Sequence, residues 1–212
     1  MDKQALRRAV ARAARATVEE RLNRGSSGNV SARHDVGFLV TPSGLPSAAI
    51  EPEQVVYVDM AGHALGAWPA SSEWRIHRDI YRARPEVNAV VHVHSPFAVS
   101  LACLRRGLPA FNYMVAVAGG KDIRCADYAT FGTQSLSDHV LVALEGRKAC
   151  LMANHGLVAL GVDLERAVAL AVEVESLCEQ FWRASLLGAP VLLADAEMDE
   201  VLERFKSYGA GK

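Results

Sequence analysis

Residues 88–96 read NAVVHVHSP, an apolar run that carries two histidines in alternation. Alanine and valine at 89–91 predict a buried strand, and side chains two apart on a strand point to the same face. His92 and His94 are therefore expected side by side at the end of this strand. Two neighbouring imidazoles either share a metal ion or are ordinary strand histidines, and this stretch alone does not decide between the two.

The bulk properties of the chain narrow its class. The 212 residues suit one domain over 1–212, and half of them are hydrophobic, enough for a sizeable core. The net charge of −1 gives no electrostatic reason to expect nucleic acid or a membrane as a partner. No run approaches the ~18 apolar residues of a membrane span, and the charged N-terminus lacks a signal-peptide pattern. Four scattered cysteines without Cys-x-x-Cys indicate a reducing compartment, so we expect a cytoplasmic protein.

Helix signals lie on both sides of the histidine strand. Helical spacing of apolar residues predicts a surface helix over 3–23. Ser72 can cap a second helix that starts near Glu73. Asp163 can cap a long helix that ends at Gly188.

Strand signals complete the pattern. Residues 24–33 and 37–44 predict a glycine-led hairpin, and 55–59 and 149–152 predict further short strands. Residues 111–118 are expected to form a strand or a loop edge. Because helices and strands alternate and several strands sit in hairpins, we expect an α/β fold, a three-layer α/β/α sandwich around a mostly antiparallel central sheet.

Other residues extend the possible metal site. A catalytic zinc ion takes three or four nitrogen or oxygen ligands and keeps one position open. His92 and His94 supply two, and His155 is a third candidate because the glycine after it lets the backbone crowd around an ion. Glu73 is a fourth ligand or a nearby base. His77 follows Glu73 by four residues, so we expect a helical ion pair between them.

A second group of small hydroxyl, amide and glycine residues occupies three loops. Exposed N–H and hydroxyl groups can bind an anion, particularly at a helix N-terminus. Each loop alone is typical of a turn or cap, but beside a metal site they indicate a phosphate subsite. The loops are Ser26-Ser27-Gly28-Asn29, Thr41-Pro42-Ser43-Gly44 and Ser71-Ser72. Arg24 and Lys121 are basic candidates that no spacing singles out.

Five motifs, GNVSAR, TPSG, SSE, HVHS and NHG, occur in this order over nearly the whole chain. Their order and distances resemble the class II aldolase/adducin family, and within it the L-fuculose-1-phosphate aldolases. The resemblance runs from about Gly25 to at least Gly161. Five motifs in register make it specific.

The resemblance implies a ligand set, a phosphate subsite and an assembly. One Zn²⁺ per subunit would be held by Glu73, His92, His94 and His155. The substrate phosphate would lie against Gly28, Asn29, Ser43, Gly44, Ser71 and Ser72. Tyr113 of a neighbouring subunit would protonate the aldehyde oxygen, and Tyr208 is a candidate for a tail that closes the site. The assembly would be a homotetramer with the site between subunits.

The implied activity is zinc-dependent cleavage of an L-fuculose-1-phosphate-like ketose 1-phosphate to dihydroxyacetone phosphate and a short aldehyde. The residues agree with this chemistry. Breaking a C–C bond beside a ketone requires a stabilised enediolate, which Zn²⁺ supports as a Lewis acid. Glu73 can move a proton at the substrate carbon, and no lysine lies among these motifs to form a Schiff base.

Several alternatives stay open at this point. Relatives in the family cleave 5-deoxyribulose or 5-methylthioribulose 1-phosphate, or decarboxylate 3-oxo-tetronate 4-phosphates. Ribulose-5-phosphate 4-epimerase relatives carry aspartate at the SSE position, so Glu73 favours aldol cleavage. Phe131 and Tyr113 are candidates for the aldehyde pocket, which would favour a small, partly apolar aldehyde. A complete ligand set disfavours an adducin-head-like interaction module or a plain phosphosugar-binding protein.

Overall fold

A sheet of eight strands forms the middle layer of the computed structural model, which describes residues 2–207. The strands are β1 (Asn29–His34), β2 (Gly37–Val40), β3 (Val56–Asp59), β4 (Ala64–Leu65), β5 (Ala89–Val93), β6 (Cys125–Ala126), β7 (Ala149–Met152) and β8 (Gly156–Gly161). Their order across the sheet is β4-β3-β2-β1-β5-β8-β7-β6. Every neighbouring pair is antiparallel except β6 with β7. The predicted mostly antiparallel sheet is confirmed.

Helices cover both faces of this sheet. They are α1 (Lys3–Glu19), α2 (Trp74–Ala83), α3 (Pro96–Cys103), α4 (Gln134–Ala143), α5 (Leu164–Leu187) and α6 (Asp195–Ser207). α1, α3 and α5 build one hydrophobic core with one face, while α2 and α4 pack together over the other. The α/β/α sandwich is therefore confirmed. Across residues 2–207, no helix has the length and apolar character needed to span a membrane.

The central strand β5 positions His92 and His94. All five of its residues are buried, because helices cover both faces of the sheet here. Val91 joins the core beneath α5, whereas Val90 joins the core beneath α2. His92 shares the face of Val90 and pairs in register with Asn29 of β1 and Val158 of β8. The histidine pair thus faces α2.

The first helix is shorter than the predicted 3–23, because α1 ends at Glu19. Arg21 takes a left-handed backbone conformation with φ of 60°, which ends helical geometry. The backbone amide of Asn23 then donates to the Thr17 carbonyl at 3.0 Å. This compact turn brings Asn23 under the histidine strand.

The capping predictions have mixed outcomes. Ser72 does not cap α2; Glu73 stands at the N-cap position, and the Glu73 amide donates to the Ser71 hydroxyl at 3.3 Å. Asp163 caps α5 by accepting an amide hydrogen bond at 2.8 Å, and Gly188 ends that helix. The α5 prediction is confirmed, while the predicted Ser72 cap of α2 is wrong because Glu73 takes the N-cap position.

The segment predicted as a strand or loop edge at 111–118 instead contains a 3₁₀ helix at Tyr113–Ala118. The Asn112 side chain caps this helix by accepting from the Met114 amide at 2.9 Å. Gly119 ends it with φ of 90°. Because the apolar run is capped locally at both ends, it forms a helical turn rather than pairing with the sheet.

Candidate active site

Four side chains from distant parts of the sequence converge at one end of β5. Glu73 comes from the start of α2, His92 and His94 from β5 and its end, and His155 from the β7–β8 turn. Their ligand atoms all lie within 4.8 Å of one another. Glu73 Oε2 is 3.1 Å from His92 Nε2, and Glu73 Oε1 is 3.3 Å from His155 Nε2. The structure therefore brings together all four metal ligands expected from the sequence.

The β7–β8 turn has to be tight to deliver its histidine. Asn154 takes a left-handed conformation with φ of 55°. A Cβ on Gly156 would lie 2.5 Å from the Val93 carbonyl oxygen and 3.0 Å from His92 Cε1. Only glycine fits between the strands there, and this close approach places His155 against His92.

The two strand histidines are oriented by hydrogen bonds on the side away from the cluster. His92 Nδ1 lies 3.0 Å from the Leu157 carbonyl oxygen. Because a carbonyl only accepts, Nδ1 carries a proton, and Nε2 is the nitrogen that His92 turns toward the cluster. The backbone amide of His94 donates to Asn23 Oδ1 at 3.0 Å. The first contact orients the His92 ring, and the second holds the backbone at His94.

The charges of the cluster are coupled. Burial opposes ionisation of Glu73, but the nearby His92 and His155 and a hydrogen bond from Asn29 hold the Glu73 pKa well below its usual value. Burial would lower the pKa of His92, but the Glu73 carboxylate raises it. Burial and then the charge of His92 lower the pKa of His94 to about 3, and the same two causes lower the pKa of His155 to about 4. His94 and His155 are thus neutral, as metal binding requires.

The donor set fits a divalent metal ion. Glu73 Oε1 is buried and has no hydrogen-bond partner within residues 2–207, although His155 Nε2 is nearby. A buried carboxylate oxygen without a partner is costly, and a cation would satisfy it. Three imidazoles and one carboxylate form a ligand set suited to zinc and related transition metals. Glu73, His92, His94 and His155 would hold the ion.

A pocket of about 530 Å³ opens onto this cluster. Its wall includes all six residues expected to bind the substrate phosphate, namely Gly28, Asn29, Ser43, Gly44, Ser71 and Ser72. No lysine or arginine among residues 2–207 lines it. Any anion in this pocket would meet hydroxyl, amide and backbone N–H groups rather than a counter-ion.

Backbone hydrogen bonds join two of the loops that line the pocket, at residues 41–44 and 69–72. The Ser43 amide donates to the Pro69 carbonyl at 3.0 Å, and the Ser71 amide donates to the Thr41 carbonyl at 3.1 Å. Gly44, which follows Ser43, has φ of 77°, a backbone conformation that residues other than glycine rarely adopt. The two loops therefore form one connected rim.

Other predicted site residues lie elsewhere in the subunit. Tyr113 is 54% exposed and borders a separate recess beside α6. A role for Tyr113 at a metal site therefore requires a neighbouring subunit. Tyr208 lies outside the described residues. Arg24 borders an adjacent recess, and Lys121 pairs with Asp199 of α6 at 2.8 Å.

The predicted ion pair between His77 and Glu73 is wrong. His77 is fully buried and faces the sheet rather than the helix surface. Its Nδ1 lies 2.6 Å from Ser31 Oγ, and its Nε2 lies 2.5 Å from Asn29 Oδ1. Tertiary contacts to β1 replace the helical pair.

Sequence reasoning also missed pocket residues after β6. Tyr128 and Ala129 line the pocket together with the predicted Phe131, and both aromatic rings are more than half exposed. The run DYATF at 127–131 contains two aromatic side chains in a segment without helix or strand periodicity. Exposed aromatic pairs in such loops are a signal for ligand contact.

The family model described as Class II Aldolase and Adducin N-terminal domain matches residues 8–182. The chain belongs to this family. A 5-methylthioribulose-1-phosphate/5-deoxyribulose-1-phosphate aldolase of Rhodospirillum rubrum is 53% identical over 205 residues, covering 97% of this chain and 93% of the relative. An L-fuculose phosphate aldolase of Escherichia coli strain K12 is 47% identical over 190 residues, covering 89% and 88% respectively.

A solved structure supports the same assignment. An L-fuculose 1-phosphate aldolase superposes with a TM-score of 0.92 at 38% identity, covering 95% of this chain and 96% of that one. The resemblance drawn from the five motifs is confirmed, and so is the expectation of a lyase rather than an interaction module. Class II aldolases depend on a metal ion, and the Glu73 cluster is a site able to bind one.

One contact near the site yields a stability prediction. The Glu175 carboxylate of α5 accepts from the Ser95 hydroxyl at 2.7 Å and from the Phe97 and Ala98 amides at 2.8 Å. Glu175→Ala would leave these donors at the start of α3 without their partner, so we expect the free energy of unfolding to fall by about 2–3 kcal/mol in urea titrations. Glu179→Ala, which removes a carboxylate paired with Arg183 one turn along the same helix, is the control. Equal losses in the two variants would contradict this account.

Proposed function

We propose that the chain is a zinc-dependent aldolase that cleaves a ketose 1-phosphate to dihydroxyacetone phosphate and a short aldehyde. The observation that carries the proposal is the shared pocket: the Glu73 cluster and the three hydroxyl- and glycine-rich loops border one space. Bound zinc would supply a Lewis acid beside the keto group of the substrate. The protein's own groups would anchor the phosphate and move protons.

The proposed phosphate subsite uses neutral donors. Ser71 and Ser72 precede Glu73, the N-cap residue of α2, and the positive end of a helix dipole favours an anion there. The connected rim adds the Ser43 hydroxyl and the Gly44 backbone N–H, while the Ser43 and Ser71 amides are used by the carbonyls that join the two loops. Binding at this rim would place the keto carbon of a ketose 1-phosphate toward Glu73, because phosphate and ketone are only one carbon apart.

Glu73 is the proposed proton carrier. It is ionised at neutral pH, since its pKa is held low by the neighbouring histidines against the effect of burial. When the carbon–carbon bond breaks, its electron pair stays on the dihydroxyacetone phosphate part, and that carbon must then receive a proton. In condensation the ionised Glu73 carboxylate takes this proton from dihydroxyacetone phosphate, and in cleavage the carboxyl group, once protonated, returns it. The proton that the carbon gains in cleavage is balanced by the one that the substrate hydroxyl loses.

A second proton is exchanged at the aldehyde oxygen. Cleavage removes this proton from a hydroxyl of the substrate, and condensation returns it. We assign this role to Tyr113 of a neighbouring subunit in a homotetramer. The half-exposed position of Tyr113, outside the pocket of its own subunit, supports the assignment.

For the aldehyde part, we favour 5-methylthioribulose or 5-deoxyribulose 1-phosphate as substrate. The 53% identity to an aldolase named for these two compounds supports this choice. The exposed rings of Tyr128 and Phe131 offer apolar surface for a methyl or methylthio group. The L-fuculose-1-phosphate-like substrate expected from the motifs is the second candidate, supported by relatives at 47% identity.

A substrate panel tests the proposed function. Dihydroxyacetone phosphate release would be measured with the 1-phosphates of 5-methylthioribulose, 5-deoxyribulose, L-fuculose, L-rhamnulose and D-ribulose. We expect kcat/KM to be about 10-fold or more higher for the first two, since one apolar group in a pocket is worth about 1–3 kcal/mol. Phe131→Ala should reduce the ratio of kcat/KM between the first two substrates and the other three. A preference for L-fuculose 1-phosphate would favour the second candidate, and turnover of 3-oxo-tetronate 4-phosphate alone with carbon dioxide release would contradict an aldolase.

We also propose a cytoplasmic location. The cysteines at 103, 125, 150 and 178 are all free thiols, one of them exposed. Thiols that stay unpaired are typical of reducing compartments.

A further inference from the structure

A line of buried hydrogen bonds runs from Glu73, at the candidate metal site, into the core between α2 and the sheet. Asn29 Nδ2 is 2.9 Å from Glu73 Oε2, and Asn29 Oδ1 is 2.5 Å from His77 Nε2. His77 Nδ1 is 2.6 Å from Ser31 Oγ, which is 2.7 Å from Tyr81 Oη. All five residues are buried. The proposed reaction uses only the first two of them.

Chemistry gives this line a single direction. The Glu73 carboxylate only accepts, so the Asn29 group beside it must be the donating Nδ2, and Oδ1 must then face His77. Oδ1 only accepts, so His77 Nε2 must carry a proton. The Nδ1 of a neutral imidazole is then an acceptor for the Ser31 hydroxyl, whose oxygen accepts from Tyr81. Each bond in the line depends on the one before it.

Burial keeps the imidazole in the neutral state that this order requires. His77 has no exposed surface and packs nearly parallel to the Phe38 ring, with ring centroids 6.4 Å apart. Burial first, and then the charge of His92, lower the pKa of His77 to about 3. The neutral ring has one N–H, and the contacts assign it to Nε2.

We propose that His77 is a positioning residue for the aldolase reaction: its Nε2–H holds the Asn29 amide with Nδ2 toward Glu73. This inference rests on the proposed function for the role of Glu73. His77 itself does not line the pocket. It acts through Asn29, which does.

Loss of this N–H would release the amide. If the Asn29 side-chain amide flipped, Oδ1 would face Glu73 Oε2, and two buried acceptors would lie against each other without a proton between them. The carboxylate would have to rotate away from its present position. Asn29 also lines the pocket, so the same change would alter the groups that the pocket presents to a substrate.

A spectroscopic measurement tests the direction of these hydrogen bonds without relying on activity. In ¹⁵N NMR of the zinc-loaded enzyme, His77 is identified by comparing wild type with His77→Gln. We expect an Nε2–H tautomer with unprotonated Nδ1 at neutral pH. An Nδ1–H tautomer would overturn the proposal, because it leaves Nε2 without the proton that holds the Asn29 amide in the stated orientation.

Kinetics of matched variants separate positioning from simple packing. His77→Phe keeps a ring but removes the donor to Asn29, the partner of Glu73, and we expect kcat to fall by about 10- to 100-fold, the usual loss when the groups that orient a metal ligand are disturbed. KM should change much less. His77→Gln, whose amide can donate near the position of Nε2, should recover most of the lost kcat. Equal losses in both variants, or an unchanged kcat in folded His77→Phe, would overturn the proposal.

Tyr81→Phe provides the matched control at the far end of the line. It removes the donor to Ser31 but leaves the His77 to Asn29 bond in place, so kcat should change less than in His77→Phe. Failure of the wild type to cleave any ketose 1-phosphate would refute the proposed function. The NMR result would still decide the orientation of His77, so the two failures are distinguishable.

Discussion

Glu73→Gln is expected to lower kcat by about 10²- to 10⁴-fold, the range that general acid–base catalysis contributes. Glutamine has nearly the shape of glutamate but cannot accept the proton. It can still accept from Asn29 through its oxygen, as Glu73 Oε2 does at 2.9 Å. Its NH₂ group would then occupy the place of Oε1, the oxygen that lacks a hydrogen-bond partner within the described residues 2–207.

The measurement is steady-state release of dihydroxyacetone phosphate together with circular dichroism to show that the fold is kept. Glu86→Gln is the control, because Glu86 is an exposed carboxylate paired with Arg84 beyond the other end of α2. We expect its kcat to match the wild type. Near-normal turnover of Glu73→Gln would rule out Glu73 as the proton carrier.

His94→Ala is expected to remove most of the bound zinc and to lower turnover by about 10³-fold, since a Lewis acid supplies several kcal/mol of transition-state stabilisation. His94 Nε2 lies 3.0 Å from His92 Nε2, so its loss leaves one side of the cluster open. Zinc content after dialysis, measured by atomic emission, reads the first effect. Steady-state release of dihydroxyacetone phosphate measures the second.

His63→Ala is the matched control for His94→Ala. His63 is an exposed histidine in the turn before β4, where its Nδ1 lies 3.0 Å from Asp59 Oδ2. Its removal should leave both zinc content and turnover unchanged. Full zinc retention in His94→Ala would show that His94 is not a ligand.

The parts of the fold that the sequence predicts are those where one signal dominates. The β5 strand follows from an apolar run that is buried on both faces. The ends of α5 follow from Asp163 and Gly188, whose capping preferences are strong and local. Tertiary contacts override local signals elsewhere, as at His77, where two bonds to β1 replace an expected helical ion pair.

In the candidate site, too, some features follow from the sequence and others depend on tertiary geometry. The four predicted metal ligands and the six predicted phosphate-binding residues border one pocket or cluster beside it, because their side chains are placed by the sheet and by the start of α2. The role of Ser71 rather than Ser72 at the Glu73 amide depends on exact backbone geometry, which no residue preference specifies. Tyr113 shows a further limit, since its proposed partner groups belong to another subunit.

Chelation of the wild-type enzyme tests the central claim most directly. Dihydroxyacetone phosphate release from its best ketose 1-phosphate would be followed before metal removal, after complete removal with a chelator, and after zinc is added back. We predict that turnover falls by about 10³-fold on removal and returns with one equivalent of zinc. Turnover that survives complete metal removal would contradict the account.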